Sequence, residues 1–442
     1  MQRKMIQVEE RPPLLMSIPL SLQHLFAMFS ASVLVPFLFG IDSAVVLLMN
    51  GVGTLLFILI TKGKAPAFLG SSFAFLAPAG LIIGSLAYNP IKTMSGGMFS
   101  EQGYSEALGG FVVVGAVFCI VALIIKFFGI KWINIALPPA AMGPVVALIG
   151  LELAGVAANM GGLTAPTLDL KVVAIFLVTL LTAVFGSVLF KKFFAVIPIL
   201  TAIVVGYLFA LAIGSLDMGP WYAQTNIFAL PHFRFPTFNW AAILAILPAS
   251  LVVISEHIGH QLVTGKIVGR DLIKDPGLDR SLFSDGISTM LSGLVGSVPT
   301  TTYGENIGVM AITKVYSVWV IGGAAVISIL LAFIGKVSAL ISTIPGPVMG
   351  GVSFLLYGMI AASGIRLMVE SKIDYSKSRN LALTSVVFVT GLSGAYIPIN
   401  GVPLKGMALA TVVGIVLSLI FYAFDKMKIS NDLDFETVPE EK

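Results

Sequence analysis

Along this chain, apolar runs of about twenty residues follow one another almost without pause. A run of that length crosses the hydrocarbon core of a bilayer as a helix. A helix also satisfies its backbone N–H and C=O groups internally, as lipid requires. Fourteen such runs can be drawn, at 18–39, 41–61, 68–87, 107–126, 132–157, 170–190, 193–213, 240–262, 281–298, 299–313, 315–335, 337–364, 380–396 and 404–424. The ninth and tenth are short and rich in Gly, Ser, Thr and Pro, and the longest polar connections fall at 88–106, 214–239 and 264–280. With 57% hydrophobic and 11% charged residues and a mean hydropathy of +0.99, the chain lies far outside the range of soluble globular proteins. The expectation is an all-α membrane protein of fourteen transmembrane spans with no separate soluble domain. Its formal net charge of +4 requires no nucleic-acid partner.

Residues 1–13 are polar and basic, and the first run is too long for a signal-peptide core, so no cleaved signal is expected. The single cysteine, Cys119, permits neither an internal disulfide nor a cysteine metal cluster. The stretch NDLDFETVPEEK reads as an acidic tail. An even number of spans puts both termini on one side. If that side is the cytoplasm, only Lys92, Lys171, Arg234, Lys336 and Lys405 of the 26 Lys and Arg fall outside. That is a strong positive-inside bias. The expectation is a multi-pass protein of the cytoplasmic (inner) membrane with both termini cytoplasmic.

The sequence also echoes itself. LPPAAMGPV from Leu137 is answered by IPGPVMGGV from Ile344, Gln23-His24 by Glu256-His257, and GSSFAF around Phe73 by TTYGEN around Tyr303. Three weak echoes in the same order suggest two halves of seven spans. Seven is odd, so the second half enters the membrane from the opposite face. Inverted repeats of this kind are a recurring transporter design, with the site at the midplane where helices are broken. Gly70-Ser71-Ser72 and Pro299 to Gly304 interrupt their runs at corresponding places. Non-helical backbone at that depth is tolerated only where protein buries it or a wet cavity receives it.

Glu256 and Glu305 lie within runs otherwise apolar enough to cross the bilayer. A charge there costs several kcal/mol unless paired or hydrated, so both are functional candidates. His260 stands one turn from Glu256 and shares its face, whereas His257 points about 100° away and is left to pack against a neighbour. Two carboxylates at one small cavity cannot both stay ionised cheaply, which leaves a proton to be carried. Glu152 near the end of its span is read as reaching the interface. Asp42 is read as a helix start, Asp285 as structural, and Asn50 and Asn306 as packing or backbone-bonding groups. No phosphate loop, nucleophile elbow or metal-ligand cluster is present, so the chain reads as a carrier of a polar solute and not as an enzyme.

GENIGVMAITK contains E-N-x-G-x-x-x-x-T-K from Glu305 to Lys314. With ERPPLL, SLQHLFAMF, LGSSFAF, SEHIGH, TTYGENIGVMAIT and PVMGGVSFLLYG, it resembles the nucleobase–ascorbate (nucleobase:cation symporter-2) transporters over nearly the whole chain. Within that family it is similar to the branch that carries uracil, since purine and xanthine members usually have Gln at the position of Glu305. The resemblance implies fourteen spans in two inverted seven-span repeats, with short strands in spans three and ten. It implies a core domain of residues 14–127 and 240–336 and a gate domain of residues 128–239 and 337–428, followed by the tail at 429–442. It further implies that Glu256, Glu305 and backbone near Phe73 and Gly304 hold the substrate, that Tyr303 and Tyr357 line the pocket, and that His260 assists proton coupling together with the two carboxylates. Members commonly form homodimers through their gate domains.

Uracil presents two N–H donors and two carbonyl acceptors; a carboxylate suits the former and backbone amides the latter. One proton driven by about 100 mV contributes roughly 2.3 kcal/mol, or about fifty-fold accumulation. The expected function is uracil:H+ symport by alternating access, with no cofactor beyond the proton and no metal. The alternatives are a purine or xanthine permease of the same family and, more remotely, an anion transporter of the same seven-plus-seven plan. A channel would need a continuous polar stripe, and an intramembrane hydrolase would need a catalytic arrangement that the chain lacks.

Overall fold

The structure is a computed structural model describing residues 5–84, 99–191, 193–399 and 402–431. Arg3, Lys4, Lys92, Lys192 and Lys442, most of the 88–106 connection, and the tail beyond 431 lie outside the described residues. The first half runs through α1 (Leu14–Phe39), α2 (Ser43–Ile60), β1 (Leu69–Ser71), α3 (Leu76–Ile83), α4 (Glu101–Phe128), α5 (Lys131–Ala136), α6 (Pro139–Met160), α7 (Leu170–Leu189), α8 (Pro198–Ala212) and the short α9 (Gly219–Ala223). The second half comprises α10 (Trp240–Ile246), α11 (Pro248–Val268), α12 (Leu278–Val295), β2 (Thr300–Thr302), α13 (Gly304–Thr313), α14 (Val318–Ala332), α15 (Gly335–Ser342), α16 (Gly346–Glu370), α17 (Ser378–Leu392), β3 (Tyr396–Ile399), β4 (Val402–Lys405) and α18 (Gly406–Met427). Counting α10 and α11 as one, eight helices among the described residues are long and apolar enough to cross a membrane. Phe73–Ile83, Pro198–Ala212 and Val318–Ala332 are shorter apolar helices. Leu15, Phe128, Val188 and Leu170 are more than three-quarters exposed, which water would penalise and lipid does not.

Helix boundaries follow side-chain chemistry more than hydropathy. The Asp42 carboxylate accepts from Ala44 N–H at 2.9 Å and starts α2, as read from the sequence. The Ser100 hydroxyl accepts from Gly103 N–H at 2.9 Å, so α4 begins six residues before its apolar run, through the polar turn EQGYSE. Caps of this type satisfy donors that a first turn leaves free. The fifth and twelfth runs are each divided, before Pro139 and before Gly346. The LPP and IPGP segments that echo one another therefore mark two breaks in helix, where proline removes a donor and constrains the residue before it.

Packing pairs the halves crosswise. α2 lies along α14, α4 along α12, and α6 along α16. At the centre β1 pairs antiparallel with β2, Leu69 opposite Thr302, Gly70 opposite Thr301 and Ser71 opposite Thr300, all buried. β1 is tied to α2, where Leu69 N–H donates to the Thr54 hydroxyl at 2.9 Å. β2 is tied to α12, where the Thr289 hydroxyl donates to the Thr300 carbonyl at 3.0 Å.

Three features depart from the sequence reading. The N-terminal segment, read only as polar and basic, is a strap: Ile6 N–H donates to the Lys314 carbonyl at 3.0 Å and Val318 N–H to the Val8 carbonyl at 2.9 Å. Val8 is fully buried there. The 397–403 stretch, drawn as a plain connection, carries the antiparallel pair β3–β4, and β4 packs on α3 and α10. Finally, Glu152 does not reach out to an interface. Its carboxylate accepts from Met407 N–H at 3.0 Å and caps the first turn of α18, where the helix dipole favours an anion.

Candidate functional site

Where β1 and β2 end, two helices begin. The turn Phe73–Phe75 leads into α3 on one side and α13 starts at Gly304 on the other, and neither start has a side-chain cap. Each start turns its first-turn N–H groups, with the partial positive charge of a helix N-terminus, towards the break. Glu305 stands in the first turn of α13. Tyr303 closes the strand pair: a Cβ at Gly70 would lie 2.1 Å from its ring, and its hydroxyl donates to the Ser71 carbonyl at 2.8 Å. Glycine at 70 thus follows from a ring laid directly on its backbone.

α11 supplies the opposite wall. Glu256 Oε1 and His260 Nε2 are 4.0 Å apart, with side chains 28% and 19% exposed, whereas His257 is fully buried. Solvent therefore reaches the first pair and not the second histidine. A Cβ on Gly304 would lie 3.4 Å from His260 Nε2, so the start of α13 faces this imidazole. Glu256 and Glu305 lie close enough for one carboxyl to feel the other's charge. Phe73, half-buried, packs from the turn that contacts α11 and meets Tyr357 of α16 edge-to-face at 6.3 Å between centroids. Nothing lies within 4 Å of a Cβ at Gly308 or Gly259. Open space therefore continues along α13 and α11 towards the end where the strap is fastened.

The structure thus gathers Glu256, His260, Glu305, Tyr303 and Gly304 around one break, with Phe73 and Tyr357 beside it. Chemically it offers carboxylate acceptors, free backbone donors and aromatic faces, which suits a small planar molecule with N–H and C=O groups. Sequence reasoning missed the polar ties behind this wall. His257 Nδ1 is 2.9 Å from Asp285 Oδ2, both fully buried; the two residues are 28 positions apart and share no local pattern. His24 Nδ1 lies 2.9 Å from Asn306 Oδ1 and joins α1 to α13. Thr302 bonds His260 Nδ1 at 3.2 Å, and its place in the run TTT was the signal available.

A profile described as the permease family matches residues 15–400. The uracil permease of Escherichia coli (strain K12) is 57% identical over 424 residues, covering 95% of each chain. That of Paenibacillus larvae is 54% identical over 438 residues, covering 98% of this chain and all of the relative. That of Bacillus caldolyticus is 46% identical over 429 residues, covering 95% of each chain. Among solved structures, the murine Solute Carrier 26 family member A9 anion transporter superposes with a TM-score of 0.69 at 11% identity, over 94% of this chain and 69% of that one. The transmembrane domain of the cyanobacterial bicarbonate transporter BicA gives 0.59 at 14% identity, over 94% of this chain and 99% of that one. At such identities the structural likeness concerns the fold alone, while the sequence matches carry the lineage: the chain belongs to the permease family of nucleobase–ascorbate transporters and is a membrane transporter, not an enzyme.

Proposed function

We propose that this chain carries uracil across the cytoplasmic membrane together with a proton, by alternating access. The observation that carries the reading is the proximity of two carboxylates from separate elements, Glu256 on α11 and Glu305 on α13, at a break where two helices start. The carboxylates accept from the ring N–H groups, the free backbone N–H groups near Phe73 and Gly304 donate to the ring carbonyls, and Tyr303 and Tyr357 bound the pocket. His260, beside Glu256, takes part in moving the proton. Relatives named uracil permease, at 46–57% identity over nearly the whole chain, support the choice of solute. An anion as solute is disfavoured by the two acidic groups, despite the likeness of fold.

The crosswise packing of α2 with α14, α4 with α12 and α6 with α16 supports fourteen spans in two inverted seven-span repeats, with the strands in spans three and ten. On that plan residues 14–127 and 240–336 form the core domain, residues 128–239 and 337–428 the gate, and both termini are cytoplasmic. Pairing of two gates makes the homodimer. The test is uptake of radiolabelled uracil in cells lacking their own nucleobase carriers. Uptake should rise as external pH falls, collapse with a protonophore and ignore replacement of sodium by potassium. A strict sodium requirement would refute proton coupling, and xanthine competing as well as uracil would refute the pyrimidine assignment.

A further inference from the structure

Behind the solvent-reached pair Glu256 and His260 stands a second, dry polar cluster. His257 and Asp285 are fully buried, with Nδ1 and Oδ2 at 2.9 Å. His257 Nε2 lies 2.8 Å from the Ser281 hydroxyl, which itself donates to the Leu278 carbonyl at 3.2 Å. The Thr302 hydroxyl sits between the two histidines, 3.4 Å from His257 Nδ1 and 3.2 Å from His260 Nδ1. We propose that Thr302, held by the His257–Asp285 pair, fixes the tautomer of His260, so that the ring proton sits on Nε2 and faces Glu256 and the solute. Thr302, His257 and Asp285 are then positioning residues for the coupling proton, an inference that rests on the proton-coupled reading above.

An ionised carboxylate only accepts, so His257 Nδ1 carries the proton directed at Asp285. On its other side, His257 Nε2 is held by the Ser281 hydroxyl at 2.8 Å. Thr302 meets no acceptor on His257. Its own hydrogen is left for His260 Nδ1, and an imidazole that accepts at Nδ1 bears its hydrogen on Nε2. That atom is the one 4.0 Å from Glu256 Oε1 and closest to Gly304. The ionisable groups near this imidazole are Glu256 and His257 on its own helix, Asp285 on α12, and Glu305 and Tyr303 at the β2–α13 junction. On the helices packed against α11, Glu152 bonds Met407, Cys119 bonds Phe283, Tyr104 bonds Gly296 and Asp425 pairs with Arg379, while Lys126, Asp279, Arg280 and Lys426 stand near helix ends.

The test uses full-length protein, with ¹⁵N-labelled histidine, in lipid nanodiscs. In the unmodified protein and in Thr302→Ser, which keeps the hydroxyl, ¹⁵N shifts should report His260 as the Nε2–H tautomer. Thr302→Val removes the hydroxyl at constant shape and should give a tautomer mixture. In parallel, Thr302→Val should lower uracil uptake about tenfold, the order expected for one lost hydrogen bond, and alter its pH profile, with Thr302→Ser near the unmodified rate. Thr302→Ala replaces the valine variant if that protein does not accumulate. A His260 that stays Nε2–H without the Thr302 hydroxyl overturns the proposal, as does a valine variant whose uptake falls equally at every pH. The tautomer readout needs no transport. A Thr302-dependent tautomer in a protein whose unmodified uptake ignores pH would therefore sustain this assignment and refute proton coupling.

Discussion

Gly150→Ala is a one-methyl change that tests how α16 is held at the site. α6 and α16 touch backbone to backbone: a Cβ at Gly150 would lie 2.0 Å from the Tyr357 carbonyl oxygen and 2.9 Å from Ala361 N. The reciprocal approach is as tight, since a Cβ at Gly364 would meet Ala147 N at 2.4 Å and the Gly143 carbonyl at 2.6 Å. Both sides of the Gly150 contact are main chain, so no side chain can swing aside. Restoring ordinary contact requires the helices to part by more than about 1 Å, and overpacking of this kind costs typically about 1–3 kcal/mol. The residue pushed is Tyr357 itself, whose ring meets Phe73; a shift of about 1 Å in a positioning group can cost on the order of a hundredfold in rate. Gly155 on the same helix is the control, because nothing lies within 4 Å of a Cβ there. Thermal inactivation of solubilised protein and binding of labelled uracil should both fall in Gly150→Ala and hold in Gly155→Ala. If the two variants bind and melt alike, close α6–α16 packing does not set the position of Tyr357.

Glu305→Gln keeps size but exchanges an acceptor oxygen for a donor; losing a charge-assisted hydrogen bond of about 1.5–3 kcal/mol should weaken uracil binding roughly ten- to a hundredfold in equilibrium dialysis, and Glu256→Gln at least as much. Gly70→Ala drives a methyl into the Tyr303 ring, so binding should be lost while helix content by circular dichroism is retained. The strap should let go in acid. Arg270 bonds the Glu9 carboxylate and holds that carboxyl below its usual range, so its contribution is present above about pH 4.5 and is lost as pH falls below it. The Glu9 side chain is 55% exposed, so the effect is small. Limited proteolysis at the N-terminus should accelerate below that pH and in Arg270→Ala at neutral pH; equal rates throughout would show that the backbone bonds alone hold the strap.

Much of this architecture is legible in the sequence because membrane solvation leaves few choices. Apolar runs must be helical, and the Gly/Ser/Thr breaks at 70–72 and 299–304 had to be buried or wet. The face shared by Glu256 and His260 follows from helical spacing alone. What was not legible depends on contacts between distant segments. Nothing in the local sequence pairs His257 with Asp285, sets Tyr303 on Gly70, or turns Glu152 inward to the first turn of α18. The strap was hidden for a related reason: its anchors are backbone groups at 314–318, and the composition of residues 5–10 does not mark a partner for them.

The same contrast bears on how such a bundle can move. In the proposed division, the core is stitched by buried hydrogen bonds between helices: Ser328 to the Leu47 carbonyl at 2.8 Å, Ser21 to the Val320 carbonyl at 2.7 Å, and His24 with Asn306. Breaking one without a substitute leaves a dry polar group at about 1–3 kcal/mol, so α1, α2, α13 and α14 must travel together. The gate is held by glycine-mediated backbone contact along α6 and α16, which tolerates little sliding. Between the two parts, contact at the site is made by rings, Phe73 on Tyr357, and beside β4 Leu404 lines a small cavity with Ala77, Leu81 and Ala245. Hydrogen bonds that do cross lie at helix ends, such as Ser338 to Asp42 at 2.6 Å. Apolar surfaces exchange partners at nearly constant buried area, so that boundary is the one along which displacement costs least. It passes directly beside the carboxylates. On the proposed reading, alternating access requires no rearrangement of the break itself: the β1–β2 pair would move as part of the core, carrying Glu256, Glu305 and a bound solute past a gate whose face is mostly hydrocarbon.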